Sequence, residues 1–299
     1  MYFYTNVFLY YYSINLGEIM KNRTFKYNMI VLASAISFNA LAAPSDTFDL
    51  TQFKLTLPVD EESYFGSGDD ESTAEIFPGD CSDDAYTGDG LDEGYEDSSY
   101  FYSDSDGYMV FRTPMDGGES TLNSTYVRTE LRELYDWDQC DSDSTANWEM
   151  TSSSTHILSG TLKVTSYDDD DPQVVVGQIH GHDSNYALVK LQYDGPDDDI
   201  RVIMNESAED GNSFSESFGL IPGTGWWSYE IEVDGYDINI SVTYDGETVT
   251  KSVTIGEGDM DDDWLDDEFY FKAGSYPQAD KDSGAVFKVR FSDLDISHD

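Results

Sequence analysis

Beyond Tyr100 the chain is a succession of short runs in which apolar and polar residues alternate: Tyr108–Arg112, Tyr126–Leu134, Gly160–Ser166, Gln173–His180, Ala187–Tyr193, Ile200–Met204, Trp227–Val233, Asp237–Tyr244, Thr248–Thr254, Glu268–Gly274 and Ala285–Phe291. A period of two is the mark of a strand with one face buried, and no long segment offers the competing 3.6-residue period of a helix. Turn residues bound the runs, as in Asp194-Gly-Pro196, Asp234-Gly235 and Asp245-Gly246. The last of these lies between two alternating runs and predicts a type I′ hairpin. An earlier run, Phe48–Leu57, predicts a first strand ending at Pro58, whereas residues 59–99, rich in Asp, Glu, Ser and Gly, predict long loops.

A sheet with one apolar face must bury it against another. The pattern therefore predicts an all-β fold, a two-sheet antiparallel β-sandwich of the jelly-roll kind, whose outer sheet face is free to form a concave substrate groove. No linker or internal repeat interrupts the chain after residue 44, so one domain over 44–299 is the economical reading. Ahead of it, Lys21, Arg23 and Lys26 precede an apolar stretch, Met29–Ala40, and Ala40-Leu41-Ala42 fits a signal-peptidase site. Residues 1–43 thus read as an upstream extension and a signal peptide beginning at Met20. The mature chain is expected to be secreted, extracellular or periplasmic, with no membrane span.

Charge narrows the partners. The formal net charge is −46, from 15 Lys and Arg against 61 Asp and Glu, and without residues 1–43 it becomes 12 − 60 = −48. Such a chain repels nucleic acid and stays soluble in salt, and it reads as a monomer. With 14% aromatic residues, 22 of them Tyr, it is not disordered, so the acidic runs belong to loops and solvated faces. Cys81 and Cys140 both lie in the exported part, where a disulfide is expected. It would close a loop of about 60 residues and stabilise by roughly 4 kcal/mol. A pair of buried free thiols is the alternative, and no Cys-x-x-Cys spacing indicates a metal.

Three segments concentrate the candidate chemistry: Tyr126-Val-Arg-Thr-Glu-Leu-Arg-Glu-Leu134, Gln178-Ile-His180 and Tyr270-Phe-Lys-Ala-Gly-Ser-Tyr-Pro-Gln278. Successive side chains on a strand point to opposite faces. Arg128, Glu130 and Arg132 therefore share a face, as do Gln178 and His180, and Tyr270, Lys272 and Tyr276. Val127, Leu131, Ile179, Phe269, Phe271 and Ala273 point the other way, into a core. Cationic stripes on so acidic a chain point to a groove that holds a polyanion and does proton chemistry on it.

Together the three segments resemble the alginate lyases of polysaccharide lyase family 7. That family carries an Arg-(Ser/Thr)-Glu-Leu-Arg strand, a Gln-(Ile/Val)-His strand and a Tyr-Phe-Lys-Ala-Gly-x-Tyr-x-Gln strand, in this order. The resemblance implies a jelly-roll lyase that cleaves alginate, polymannuronate or polyguluronate, by β-elimination, with no cofactor or metal. It implies that Arg128 and Gln178 neutralise the uronate carboxylate, that His180 takes the C5 proton of guluronate, and that Tyr276 protonates the leaving O4. For mannuronate Tyr276 would serve as both base and acid. Substrate-binding roles fall to Arg132, Lys272 and Tyr270, with Glu130 orienting the arginines, and to Lys190 and Gln278 at neighbouring subsites. The Ile in Gln178-Ile-His180 implies a preference for guluronate-containing blocks, and internal (endo) cleavage is expected. Pro277 departs from the Asn common in the family and stiffens the turn after Tyr276.

Several rival readings remain open. His180-Gly-His182 puts two imidazoles on one strand face, a spacing that zinc sites use, yet no third ligand is evident beside the remaining His156 and His298. The Asp runs at 168–171, 197–199 and 261–263 invite a calcium reading, but solvated acidic loops explain them as well. Glu230, Glu232 and Asp234 alternate as the carboxylates of a laminarinase-like glycoside hydrolase would. A non-catalytic carbohydrate-binding module would account for cations and tyrosines in a groove, but not for the histidine among them.

Overall fold

A computed structural model describes residues 42–79, 88–121, 124–135 and 147–299. Internal contacts divide the chain into Met1–Asn39 and Ala40–Asp299, and all described residues lie in the second unit. Fifteen strands follow one another among the described residues: β1 (Phe53–Asp60), β2 (Thr73–Ile76), β3 (Phe101–Ser103), β4 (Met109–Pro114), β5 (Thr129–Glu133), β6 (His156–Ser166), β7 (Val174–Gly181), β8 (Ala187–Tyr193), β9 (Ile200–Asn205), β10 (Ser213–Ser217), β11 (Trp227–Asp234), β12 (Asp237–Tyr244), β13 (Glu247–Thr254), β14 (Phe269–Pro277) and β15 (Val286–His298). They form two antiparallel sheets of a jelly-roll β-sandwich, in the orders β10-β9-β8-β7-β14-β5-β1-β2 and β13-β12-β11-β6-β15-β4-β3.

Alternation explains the packing. Along β6 every second residue from His156 to Val164 is buried, and those between them face solvent. The inward residues of both sheets, among them Leu131, Ile179, Phe271, Leu162, Ile231 and Phe291, make one continuous core. Each fully buried aliphatic or aromatic side chain contributes about 1.5–3 kcal/mol, far more than an exposed ion pair, so the core and not the surface charge holds the sandwich. Tyr229 of β11 crosses the core against Gly177 of the facing sheet, where an added Cβ would meet the ring at 3.1 Å. The hairpin at Asp245-Gly246 has positive φ at both residues, 51° and 81°, as a type I′ turn requires.

Residues 59–99 are not all loop. They hold a short helix, Glu61–Phe65, capped by the Asp60 side chain on the Ser63 N–H at 2.7 Å, and the edge strand β2, which pairs with β1. A four-residue strand among acidic residues carries too short an alternation to be read alone. Pairing with β1 is what makes it a strand. Likewise β3 and β10 escape the sequence pattern because both are short edge strands. Cys81 and Cys140 lie outside the described residues.

A buried polar network ties the two sheets together. The Glu133 carboxylate, fully buried, accepts the Trp148 indole N–H at 2.9 Å and the Phe271 N–H at 2.7 Å, and meets His298 Nε2 at 2.5 Å. His298 Nδ1 in turn meets His156 Nδ1 at 2.6 Å, and Trp148 stacks on the His156 ring at 4.2 Å. Burial, aided by the neighbouring His298, pushes the His156 imidazole down to about 4.

Candidate active site

The sheet order brings the three sequence segments side by side, as β7, β14 and β5. Register then sets their polar residues in rows. Lys272 pairs with Gln178 on one side and Arg132 on the other, Gln178 with Lys190 of β8, and Arg132 with Lys54 of β1. Five adjacent strands thus carry one row of four cations and an amide, spanning about 19 Å at the usual strand spacing. In the next row Tyr270 faces His180, and in another Glu130 faces Gly274 and Thr56. All the inward partners named from sequence, Val127, Leu131, Ile179, Phe269, Phe271 and Ala273, are in the core.

These rows floor a groove of about 650 Å³ to which every strand of the eight-stranded sheet contributes. Arg128, Gln178, His180, Tyr276, Arg132, Lys190, Tyr270 and Lys272 all line it. Beneath them lies Glu130, wholly buried, its carboxylate 2.6 Å from Lys272 Nζ and 3.2 Å from Arg128 Nη1, and accepting the Gln178 amide at 2.5 Å. Burial pushes this carboxyl up, but the Lys272 and Arg128 charges outweigh it and hold Glu130 below the ordinary carboxylate value. One anion therefore fixes three donors of the groove floor. Of the five buried residues of β5, Thr129, Leu131 and Glu133 face the core, Arg132 is stacked on Tyr270, and Glu130 is enclosed by these donors.

Cations also lie on the tyrosines. The Arg128 guanidinium lies 3.9 Å from the Tyr276 ring centre, and that of Arg132 lies 4.0 Å from Tyr270. Tyr270 continues the stack to His180, ring centres 5.3 Å apart and nearly parallel. His180 Nδ1 donates to the Gly181 carbonyl at 2.7 Å, which leaves Nε2 with its lone pair free. Burial, reinforced by the Lys272 charge, pushes this imidazole down to about 3, so it stays neutral near pH 7. Burial and then Arg128 lower Lys272 to about 8, against the upward pull of Glu130. The Tyr276 hydroxyl is held by a hydrogen bond with Ser124 Oγ at 2.9 Å, and Ser124 Oγ also lies 3.1 Å from the Tyr126 carbonyl. The groove therefore holds a neutral base, a directed phenol and a set of donors suited to a carboxylate.

A family model described as alginate lyase matches residues 48–298. The chain belongs to the alginate lyases of polysaccharide lyase family 7. It is 25% identical over 295 residues to an alginate lyase of Klebsiella pneumoniae, covering 83% of this chain and 89% of that protein. It is similar in structure to alginate lyase A1-II′, a member of polysaccharide lyase family 7, with a TM-score of 0.68 and 28% identity over 86% of this chain and 99% of that one. A doubly substituted form of A1-II′ in complex with a substrate, GGMG, gives a TM-score of 0.68 at 27% identity, covering 86% and 97% of the two chains.

Within this alginate lyase fold Glu130, expected to orient the arginines, lies beneath the groove and not in its lining. Buried, it anchors the donors. Gln278 does not line it either, since its amide turns back onto the Tyr276 and Pro277 carbonyls at 3.2 and 3.3 Å. The rival carboxylates Glu230, Glu232 and Asp234 sit on β11, in the other sheet, and take no part in the groove. Among the described residues no three His, Cys, Asp or Glu side chains converge as metal ligands.

Sequence reasoning missed Lys54, Glu75, Ser124, Tyr186 and Asn205, all in the groove lining. Lys54 had a signal, for alternation over Phe53–Leu57 turns it outward. The sheet order that sets β1 beside β5 was not readable. Ser124 lies outside any strand and had none. The stretch around residues 61–75 turns out to form one wall, through Glu61, Ser72, Thr73 and Glu75. At the opposite rim Asp267 folds the loop after β7, its carboxylate accepting the N–H groups of His182, Asp183 and Ser184 at 3.0, 2.8 and 3.2 Å.

Proposed function

We propose that the chain is a secreted, monomeric lyase that cuts alginate internally by β-elimination and prefers guluronate-containing blocks. The observation that carries this reading is the convergence of a neutral imidazole, a phenol and several donors along one groove. Removing the C5 proton of a uronate builds an enolate-like dianion beside the carboxylate. Arg128, Gln178 and Lys272 supply the positive field and hydrogen bonds that stabilise it, as an oxyanion hole would. Nε2 of His180 takes the C5 proton, the electron pair forms the C4–C5 double bond, and the bond to O4 breaks. Tyr276 gives its proton to the departing O4. With mannuronate, where proton and leaving group lie on one side, Tyr276 performs both transfers.

Internal cutting is supported by the length of the groove, which crosses the whole sheet and so accommodates several sugar units. The guluronate preference rests on Ile179. Its side chain is fully buried and faces the core, so it acts through the backbone that sets Gln178 and His180. Secretion rests on the leader-like residues before Ala43. Incubation with alginate while ultraviolet absorbance is followed tests the reaction class. Elimination creates a conjugated uronate, hydrolysis yields reducing ends without that chromophore, and a binding module yields neither. Tyr276→Phe is expected to bind substrate yet lose at least about a hundredfold in kcat, and faster turnover of polymannuronate than of polyguluronate would refute the block preference.

A further inference from the structure

Of the 15 − 3 = 12 cations that follow residue 43, five line the groove and four others gather elsewhere. Arg112 of β4, Lys163 of β6 and Lys288 and Arg290 of β15 all alternate with core residues, so they project from the outer face of the seven-stranded sheet, away from the groove. Register sets Arg112 beside Lys288, and Arg290 beside Lys163. Arg290 pairs with Asp104 at 3.1 Å, and Arg112 donates to the Ser99 carbonyl at 2.6 Å. Among the described residues Arg112, Lys163 and Lys288 have no carboxylate partner. In a chain with 61 acids, unpaired cations gathered in one place call for an external anion.

Two aromatic rings complete the patch. Tyr108 and Trp226, both half-buried, meet edge to face with centres 4.7 Å apart, and Lys163 Nζ lies 4.5 Å from the Trp226 centre and 5.8 Å from that of Tyr108. A ring beside an ammonium offers the apolar face of a sugar a stacking surface and its carboxylate a counter-charge. Farther along the same face the sign reverses, with Asp293 and Asp295 on β15 and Glu230 on β11, which confines an anionic polymer to the strip.

We propose that this strip is a second, non-catalytic binding site for an acidic polysaccharide, a further stretch of the polyuronate on which the groove acts. The identity of the polymer rests on the function proposed above, whereas the site itself rests on charge and rings alone. A polymer held here keeps a high local concentration of chain near the groove between cuts.

The test compares the full chain carrying Tyr276→Phe, which preserves the polymer, with the same chain also carrying Lys163→Gln and Lys288→Gln, or Trp226→Ala. Retardation is measured by electrophoresis through gels containing long polyuronate or a neutral glucan, with the groove filled by excess short uronate oligomer. Loss of the charges or of the ring is expected to weaken retention by polyuronate about fivefold. Turnover of the short oligomer by the same patch variants with Tyr276 intact should stay within about 1.5-fold of the parent. Equal retention of parent and variants, retention by neutral glucan to the same degree, or a parallel fall in short-oligomer turnover would each overturn the proposal. If Trp226→Ala does not fold, the lysine pair gives the answer alone. Retention of the Tyr276→Phe chain, together with no ultraviolet chromophore from the chain in which Tyr276 is intact, would refute the lyase reading and leave this site standing.

Discussion

Gly274 stands directly opposite Glu130 on the neighbouring strand, and a Cβ built on it would come within 2.8 Å of the Glu130 Cα and 2.7 Å of the Thr129 carbonyl oxygen. The close approach of two backbones at this point lets Glu130 sink beneath the groove and gather Arg128, Lys272 and Gln178 around it. Gly274 also has a φ of 150°, which side-chain-bearing residues rarely adopt. Gly274→Ala is therefore expected to push β14 from β5, destabilise the fold by about 1–3 kcal/mol and lower kcat/KM at least about tenfold. Thermal melts and initial rates on one preparation check both. A variant with unchanged rates would show that Glu130 does not depend on this contact.

Glu130→Gln keeps the shape and removes the anion. Two buried cations are then left facing each other without compensation, a change that destabilises by about 3–5 kcal/mol in comparable cases. The carboxylate also raises Lys272, so its loss should move Lys272 deprotonation below about 8. The expected result is a fall in kcat/KM of about a hundredfold near neutrality and an alkaline limb displaced to lower pH. An amide variant with the parent pH profile would show that Glu130 has a packing role alone.

Alternation told which side chains leave the core at Arg128, Gln178, His180 and Lys272, because a half-buried strand leaves no choice of face once its register is set by Leu131, Ile179 and Phe271. It could not tell which strands are neighbours. β5, β7 and β14 lie far apart in sequence, and their adjacency is a property of topology. The burial of Glu130 was hidden for a related reason. It depends on Lys272 and Gln178 from two other strands and on Arg128 just before its own, and alone it looks like any outward carboxylate. Gln278 has the right spacing and the wrong direction, because the strand ends at Pro277 and the amide folds back onto the turn. β2 and its wall of the groove were lost in an acidic stretch whose order comes from pairing with β1.

His180 and Lys272 together predict an asymmetric pH dependence of kcat/KM, which reports the free enzyme. His180 must be neutral to accept a proton. With its imidazole pushed down to about 3, it should impose no acid limb down to about pH 4. Lys272 must be charged to support the enolate, and it loses its proton as pH rises through about 8. The rate constant should therefore fall about tenfold per pH unit above that value. Short oligomers at fixed ionic strength are the right substrate, since long polymers add their own repulsion. An acid limb near 6.5 would mean that His180 titrates as it does in water, and the burial argument would fail.

Acid stability should be governed by imidazoles that the native state refuses to protonate. His156 is enclosed by Trp148, His298 and, through His298, Glu133, and it is pushed down to about 4, while His180 beside Lys272 and Arg128 is pushed down to about 3. Both imidazoles therefore bind protons in the unfolded chain, near 6.5, before they do so in the fold. Their contribution is fully present above about 6.5 and is lost as pH falls toward about 4, at about 1.4 kcal/mol per pH unit for each such proton. Most of the 61 acids remain ionised in the upper part of that window, between about 6.5 and 5, so the imidazoles can be read there without them. The melting temperature of the parent should decline across it. His156→Gln should start lower, because His298 loses one of its ring partners, but should decline with roughly half the slope, since one of these two depressed imidazoles is gone. A slope unchanged by the substitution would place the acid sensitivity elsewhere in the molecule.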